Sequence, residues 1–376
     1  MAHAYTPGLK VLHETRVTKV RRLPMRGEVK VKKGDWVVPS HIVASTHLPG
    51  NVRMVNVASL LNVEPGAVPD FMIAKEGTSV EKGNVIAETA GLFGLFKSRA
   101  HSPVTGTVES VSSVTGQVVV REPPVAVEID AYITGLVTEV FPEEGVAIET
   151  DAAFVQGIFG IGGEKRGEIL ALEEGCETVV DEDVITDAMM GKIVVGGAFL
   201  TLGGFEKAQE LGVRGIVTGG FDYSALKEVL GYTLGVAITG SEDLVTTLVV
   251  TEGYGKIPLA RRTFDLLKDH DRKEASINGA TQIRAGVIRP EVIIPLQKGE
   301  LKGGYREIDT STGIEVGSLV RVIRAPYFGA LGEVVELPPK LQTLESEAEV
   351  RVARVKLDGD SVQTLPRANL ELVETD

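Results

Sequence analysis

Glycine spacing is the feature that most constrains how this chain folds. The 376 residues contain 43 glycines, and many of these interrupt short runs in which Val or Ile recurs at alternate positions. Glycine is tolerated where a chain reverses, and β-branched residues favour extended backbone. The pattern therefore predicts short strands joined by tight turns, and the 5% aromatic content predicts small, aliphatic cores.

Length and charge limit the classes of protein that this chain can belong to. A single core seldom serves more than about 250–300 residues, so several domains are expected. The net charge of −13 favours solubility and disfavours indiscriminate binding to nucleic acid. Nine basic residues between Lys10 and Lys33 are a local exception, and we interpret them as a solvated strand face rather than an anion-binding surface.

The single cysteine, Cys176, narrows the chemistry further. One thiol forms no intramolecular disulfide, no four-cysteine zinc site and no iron–sulfur site held only by cysteines. The N-terminal residues lack the apolar core of a signal peptide, and no apolar run approaches about 18 residues. A cytoplasmic protein without a membrane span is therefore expected.

Residues 1–150 are predicted to form a β-rich domain. The segments 31–37 (VKKGDWV) and 80–87 (VEKGNVIA) resemble the turns of barrel-sandwich hybrid domains, which occur in biotinyl and lipoyl carriers. The segment 102–108 (SPVTGTV) is similar to the one that opens the second half of such a domain. The resemblance implies a barrel-sandwich fold for this region.

Lys97 lies where such carriers hold their modified lysine, so the resemblance implies a carrier role for it. The flanking Met residues of the carriers are absent, and apolar residues surround Lys97 instead. Since an apolar hairpin tip usually contacts another surface, a partner-binding hairpin is the favoured interpretation. The candidate partner-binding residues of this hairpin are Phe93 and Phe96.

Residues 151–190 are interpreted as a hairpin followed by an acidic connector. The glycine-rich segment 157–164 resembles the flavin-site segment in soluble subunits of ion-pumping redox complexes, which implies a nucleotide or flavin site. A phosphate-binding glycine loop needs a helix behind it, whereas residues 167–175 follow a strand pattern. A structural hairpin is therefore the favoured interpretation.

Residues 191–295 are predicted to form a parallel α/β domain. Continuous apolar runs at 191–197, 214–220, 235–239 and 246–255 alternate with stretches of helical spacing, as in a sheet covered on both faces. Ligands bind beyond the carboxyl ends of such strands, provided that an open crevice remains there. The candidate ligand or anion residues at these strand ends are Gly196, Gly197, Gly219, Gly220, Glu252, Gly253, Gly255, Lys256 and Arg261.

After a predicted linker at 296–313, residues 314–376 form the most distinct module. The segment 319–335 (LVRVIRAPYFGALGEVV) resembles a KOW motif, the core of small SH3-like barrels in transcription elongation factors and ribosomal proteins. The resemblance implies a surface that binds nucleic acid, ribosomes or proteins. The candidate partner-binding residues are Arg321, Arg324, Tyr327 and Phe328.

Three functions follow from this multidomain α/β and all-β organisation. The favoured one is a non-enzymatic binding or assembly protein, whose β modules dock a protein partner or a second copy and whose α/β unit offers a site for an anion or small ligand. The alternatives are a nucleotide- or flavin-binding enzyme or redox component, and an RNA-, ribosome- or transcription-associated KOW protein. The sequence assigns no catalytic residue, cofactor or metal site.

Overall fold

The computed structural model shows a mostly β chain, with 47% strand and 14% helix and one large mixed sheet. None of the helices described is long and apolar enough to cross a membrane. The structure describes residues 9–90, 97–230, 239–282, 288–297, 299–301, 314–322, 327, 330–339, 341–343, 349–357 and 361–375.

The N-terminal part contains thirteen described strands and two short helices. Its longest strands, the first and the last, pair antiparallel from Val11 opposite Val155 to Arg22 opposite Gly145. The elements are β1 (Leu9–Arg22), β2 (Glu28–Val29), β3 (Trp36–Val37), β4 (Ile42–Leu48), β5 (Val52–Asn56), α1 (Val57–Leu61), α2 (Val68–Phe71), β6 (Ser79–Val80), β7 (Val85–Glu88), β8 (Arg99–His101), β9 (Gly106–Val111), β10 (Gln117–Arg121), β11 (Val125–Asp130), β12 (Gly135–Phe141) and β13 (Gly145–Gln156).

Two separate cores lie in this N-terminal part. The sheet β5–β10–β9–β6 and the pair β7–β8 enclose one core, which includes Ile86, Val108 and Val118. The strands β1, β12 and β13 enclose the other, which includes Val146 and Ile148. Burial of the inward-facing side chains of each strand stabilises both cores.

The two repeated turn segments place glycine where only glycine is favoured. Gly34 has a φ of 93° and Gly83 a φ of 89°. Side chains other than glycine rarely adopt this left-handed conformation. An added Cβ would meet nothing within 4 Å at either position, so the backbone angle and not crowding selects glycine there.

The central part combines parallel strands with helices. The strands β15, β17, β19 and β20 pair parallel in that order, as the apolar runs predict for the last three. Of the predicted strand at 235–239, only residue 239 lies within the described residues. The elements are β14 (Phe159–Ile161), β15 (Glu164–Ala171), β16 (Val179–Val180), β17 (Ile193–Val195), β18 (Phe199–Leu200), α3 (Leu202–Leu211), β19 (Gly215–Phe221), α4 (Tyr223–Leu230), β20 (Thr247–Tyr254), α5 (Arg261–Lys268), β21 (Glu274–Asn278) and β22 (Glu291–Pro295).

Both faces of β17, β19 and β20 are buried, which explains their continuous apolar sequences. Val194 and Ile216 share a core with Phe205 of α3 and Leu226 of α4. Their neighbours in the strands point the other way, because successive side chains alternate between faces. Ile193 and Val217 belong to a second core with Phe264 of α5.

Antiparallel strands complete the sheet, so the central part is mixed rather than purely parallel. The strand β21 pairs antiparallel with both β15 and β22, and β22 pairs antiparallel with β13. At the other end of the ladder, β14 pairs antiparallel with β20. The strand β14 follows β13 directly in the chain. The order β13–β22–β21–β15–β17–β19–β20–β14 therefore closes on itself and surrounds the core that α5 covers.

The C-terminal strands join the same sheet. The strand at the C-terminal end pairs parallel with β1, with Leu9 opposite Val373. Backbone hydrogen bonds therefore connect the N-terminal and C-terminal parts of the chain. The elements are β23 (Leu319–Val322), β24 (Leu331–Glu336), β25 (Gln342–Thr343), β26 (Glu349–Val350), β27 (Val352–Leu357), β28 (Val362–Pro366) and β29 (Leu370–Thr375).

Candidate functional site

The strand-end glycines meet at one edge of the parallel strands, as predicted. Gly220 of β19 lies opposite Gly253 of β20 in the strand register. The amide of Gly219 donates to the carbonyl of Gly197, which follows β17, at 3.1 Å. The structure thus brings these residues together at the carboxyl ends of the strands.

The chain itself fills the space beyond these glycines. An added Cβ on Gly219 would clash with the carbonyl oxygen of Ile257, and one on Gly220 with that of Gly255. The amide of Ile257 donates to the carbonyl of Ala198 at 2.8 Å, so this loop crosses the strand ends. The glycines serve close approach of backbone to backbone, and the predicted open crevice is occupied at this point.

Glu252, one of the predicted ligand or anion residues, places its own carboxylate at the N-terminus of α5. Its side chain is buried, and its Oε1 accepts a hydrogen bond from the amide of Ala260 at 3.2 Å, where α5 begins. Negative charge is favourable at a helix N-terminus because the first amides there lack partners within the helix. Lys256 and Arg261, the predicted basic ligands, are exposed.

Arg321 of the C-terminal part closes the strand ends. Its Nη1 donates to the carbonyl of Thr251 at 2.6 Å, and its Nη2 lies 3.5 Å from Oε2 of Glu252. Arg321 is 4% exposed and Glu252 is 3% exposed. The prediction of Arg321 as a surface residue for partners is therefore wrong, because its charge is used inside the molecule to compensate a buried carboxylate.

One atom of this buried pair remains unsatisfied. The Nε of Arg321 has no hydrogen-bond acceptor among the described residues. An unsatisfied buried donor costs about 1–3 kcal/mol, and the 3.5 Å separation from Glu252 is longer than a close charge-assisted hydrogen bond. The closure is consequently less than ideal in its hydrogen bonding.

Tyr327, predicted to bind a partner, and Lys97, the predicted carrier lysine, both lie within the described residues. Tyr327 is half-buried and packs against the core of the C-terminal strands. Lys97 pairs with Glu88 at 2.5 Å, and the hydrogen bonds from Lys97 and Arg99 lower the pKa of Glu88. The predicted residues Phe93, Phe96, Arg324 and Phe328 lie outside the described residues.

A cluster of charged side chains around Arg21 was not predicted. The Nη1 and Nη2 of Arg21 donate to the two carboxylate oxygens of Glu164 at 2.6 and 2.8 Å, and its Nε donates to the carbonyl of Asp130 at 2.8 Å. Burial lowers the pKa of Arg21. The contacts with Glu164 and Asp130 together raise it by more than burial lowers it, so the pKa of Arg21 lies above its ordinary value. These bonds join β1, β11 and β15.

Tyr132 extends this cluster into the core. It is 2% exposed, it adopts a φ of 64°, and its OH lies 3.5 Å from Oε1 of Glu291. The Nζ of Lys19 binds the same carboxylate at 2.5 Å. Burial, followed by the charge of Glu291, raises the pKa of Tyr132 well above its ordinary value. The interpretation of residues 10–33 as only a solvated face is therefore wrong for two residues. Lys19 pairs with the buried Glu291, and the largely buried Arg21 pairs with Glu164 and Asp130.

An open cleft of about 870 Å³ lies beside the pair of strands β3 and β12. Its apolar lining includes Trp36, the only tryptophan in the chain, and Leu136, which lies opposite Trp36 in the strand register. Trp36 is 64% exposed and Leu136 is 41% exposed. In the sequence, Trp36 is part of a predicted turn, and alternation along a two-residue strand is too short to predict its exposure.

The polar lining of the cleft carries an excess of negative charge. Asp151 pairs with Arg16 at 3.1 Å, and Glu300 pairs with Lys273. Two further carboxylates, of Glu149 and Glu274, line the cleft and have no cationic partner among the residues that the structure describes.

Comparison with known proteins assigns no family to this chain, so the site is interpreted from its geometry alone. No protein-family model matches the sequence. No curated protein matches it at a significant level. Within the described part of the chain, no group of three or more His, Cys, Asp or Glu side chains is placed to hold a metal ion.

Proposed function

We propose that this protein is a non-enzymatic assembly protein that binds a protein partner at the cleft around Trp36. The observation that carries the proposal is the exposure of Trp36 beside Leu136 in a cleft of about 870 Å³. Tryptophan is enriched among the residues that contribute most to binding at protein interfaces. Burying these two side chains against a partner would remove a costly apolar surface from water.

The position of Trp36 suits docking as well. Trp36 lies in β3, which has only two residues and pairs only with β12 among the described strands. A short edge strand limits unwanted sheet extension while still presenting its side chains. The partner is therefore expected to recognise side chains in the cleft first.

The nucleotide or flavin alternative has less support than docking of a partner. The segment 255–259 lies against Gly219 and Gly220 at the strand ends, and the glycine-rich segment 157–164 leads into the strand β15 rather than into a helix. Glu252 likewise takes the place of an anion at the start of α5. The geometry of the described residues thus supports binding of a partner better than it supports cofactor chemistry.

The C-terminal part is proposed to be an SH3-like barrel that serves mainly inside the molecule. Its strand order β28–β27–β24–β23–β29, with a 3₁₀ turn before β29, supports this fold. Three of its arginines already have partners: Arg321 is buried, Arg354 pairs with Glu336, and Arg367 donates to backbone carbonyls. These contacts favour an internal role over RNA binding.

Two further assignments belong to the same proposal. The left-handed turns at Gly34 and Gly83 support a barrel-sandwich hybrid in the N-terminal part. We keep the division into 1–150, 151–190, 191–295 and 314–376, with a linker between the last two, and we expect the protein to act in the cytoplasm.

Site-specific photo-crosslinking tests the proposal. A photoreactive phenylalanine analogue replaces Leu136 in the full chain, and crosslinks are formed in the cells that produce the protein. A discrete crosslinked protein is expected, and Trp36→Ala should abolish it. The matched control is Met54→Ala, which removes another side chain that is 69% exposed, on β5 outside the cleft. Crosslinks that survive Trp36→Ala, or that Met54→Ala removes equally, would contradict the proposal.

A further inference from the structure

We infer that the partner presents a basic, extended peptide segment to the cleft, with a Lys or Arg side chain next to an apolar one. This inference rests on the proposed function and specifies the chemistry of the partner. Its basis is the juxtaposition of an exposed indole, an apolar floor and two uncompensated carboxylates in one cleft.

The charge of the cleft selects a cation. Four acidic side chains line it against two basic ones, and both basic side chains are already paired, Arg16 with Asp151 and Lys273 with Glu300. The hydroxyl of Thr18 donates to Glu149 at a long 3.5 Å, which leaves that carboxylate most of its hydrogen-bonding capacity. A Lys or Arg of the partner would form the missing charge-assisted bonds.

Trp36 adds a second feature that favours a cation. A cation over the face of an indole is attracted by the partial negative charge of the ring face, and more strongly when it is desolvated. Lys32 and Lys33 precede Trp36 in the chain, but neither lines the cleft.

The shape of the site indicates an extended peptide rather than a compact metabolite. The cleft is open, and its apolar floor at Leu296 and Leu301 accepts an uncharged side chain beside the basic one. The strand β3 pairs on one side only among the described strands, so an extended segment that docks by its side chains can also bind the few free backbone groups of this short strand.

The single tryptophan provides a direct probe. The purified full chain is titrated with three synthetic pentapeptides, Lys-Leu-Lys-Leu-Lys, Gln-Leu-Gln-Leu-Gln and Glu-Leu-Glu-Leu-Glu, while the emission of Trp36 is followed. We expect a saturable change with the lysine peptide, at least about tenfold tighter than with the glutamine peptide, and weaker at high salt. The acidic peptide should cause no saturable change.

Charge-matched variants locate the binding. The double variant Glu149→Gln with Glu274→Gln should lower the affinity for the lysine peptide by about tenfold or more. The control double variant Glu64→Gln with Glu81→Gln removes the same net charge at exposed positions outside the cleft, and it should bind like the wild type. A thermal melt of each variant confirms that both are folded.

The outcomes separate this inference from the proposed function. Equal affinity for all three peptides, or an equal loss of affinity in both double variants, overturns the inference that the partner segment is basic. Either result leaves the proposal that a partner docks at the cleft unaffected. A dimer that forms with rising protein concentration and is lost in Glu149→Gln with Glu274→Gln also overturns the inference, because a second copy then fills the cleft. If crosslinking from Leu136 fails as well, the proposed function falls with it.

Discussion

The strand ends around Glu252 and the cleft around Trp36 differ in what meets their side chains. At the strand ends, backbone from residues 255–259 and the guanidinium of Arg321 occupy the space that a ligand would need. In the cleft, an indole and two carboxylates remain accessible. The comparison teaches that glycines at strand ends mark close approach of some group, and that this group is here the chain itself.

Removal of Glu252 should have the largest effect. Glu252→Ala leaves Arg321 buried without its counter-charge and removes the acceptor for the amide of Ala260. Removing one partner of a buried ion pair costs about 3–5 kcal/mol, so the free energy of unfolding in urea should fall by that amount. The control Glu333→Ala, at an exposed position, should change it by less than about 0.5 kcal/mol. A loss below about 1 kcal/mol for Glu252→Ala would show that the strand ends are not closed in this way.

A single methyl group on Gly219 should have the next largest effect. Gly219→Ala places a Cβ against the backbone of Ile257, which cannot move aside as a side chain can. Overpacking of this kind costs about 1–3 kcal/mol of stability in urea unfolding. The matched control is Gly66→Ala, where a Cβ meets only the carbonyl oxygen of Ser113 at 3.9 Å. Equal stabilities of the two variants would mean that the strand-end glycines leave room.

Tyr132 should make the folded protein less stable at alkaline pH. Its pKa in the folded chain is raised above that of the unfolded chain, so the stabilisation is fully present below about pH 10 and is lost as the pH rises above it. Unfolding temperatures between pH 9 and 11 should therefore fall more steeply for the wild type than for Tyr132→Phe. Parallel curves for the two proteins would show that Tyr132 ionises without penalty.

Trp36→Ala should have the smallest effect on stability and a large one on binding. The side chain is 64% exposed, so its removal should change the free energy of unfolding by less than about 0.5 kcal/mol. The same variant should weaken partner capture by about tenfold or more. A loss of stability comparable to that of Gly219→Ala would instead make Trp36 a structural residue.

The local features of the fold were predictable, and the long-range pairings were not. The strands β17, β19 and β20 were predictable because burial on both faces requires an uninterrupted apolar sequence. The turns at Gly34 and Gly83 were predictable because backbone angles select glycine locally. The pairing of Glu252 with Arg321 joins residues 69 positions apart. Nothing in either local sequence indicates such a partner.

Lys19 and Arg21 show the same limit. Both lie in a basic stretch whose composition predicts solvation, yet their partners Glu291 and Glu164 come from distant strands that meet β1 only in the folded chain. The exposure of Trp36 was equally unpredictable, because an aromatic residue at a glycine turn is as consistent with burial as with exposure. Sequence therefore indicated where the strands lie, whereas the site depended on how the strands assemble.

Hydrogen exchange measured by mass spectrometry, with and without the lysine peptide, tests the central claim most directly. If the cleft binds and the strand ends are closed, protection should increase at residues 34–38 and 134–136 and remain unchanged at 252–260. Protection that appears at 196–197, 219–220 and 252–260 instead would place the binding site at the strand ends and contradict the account.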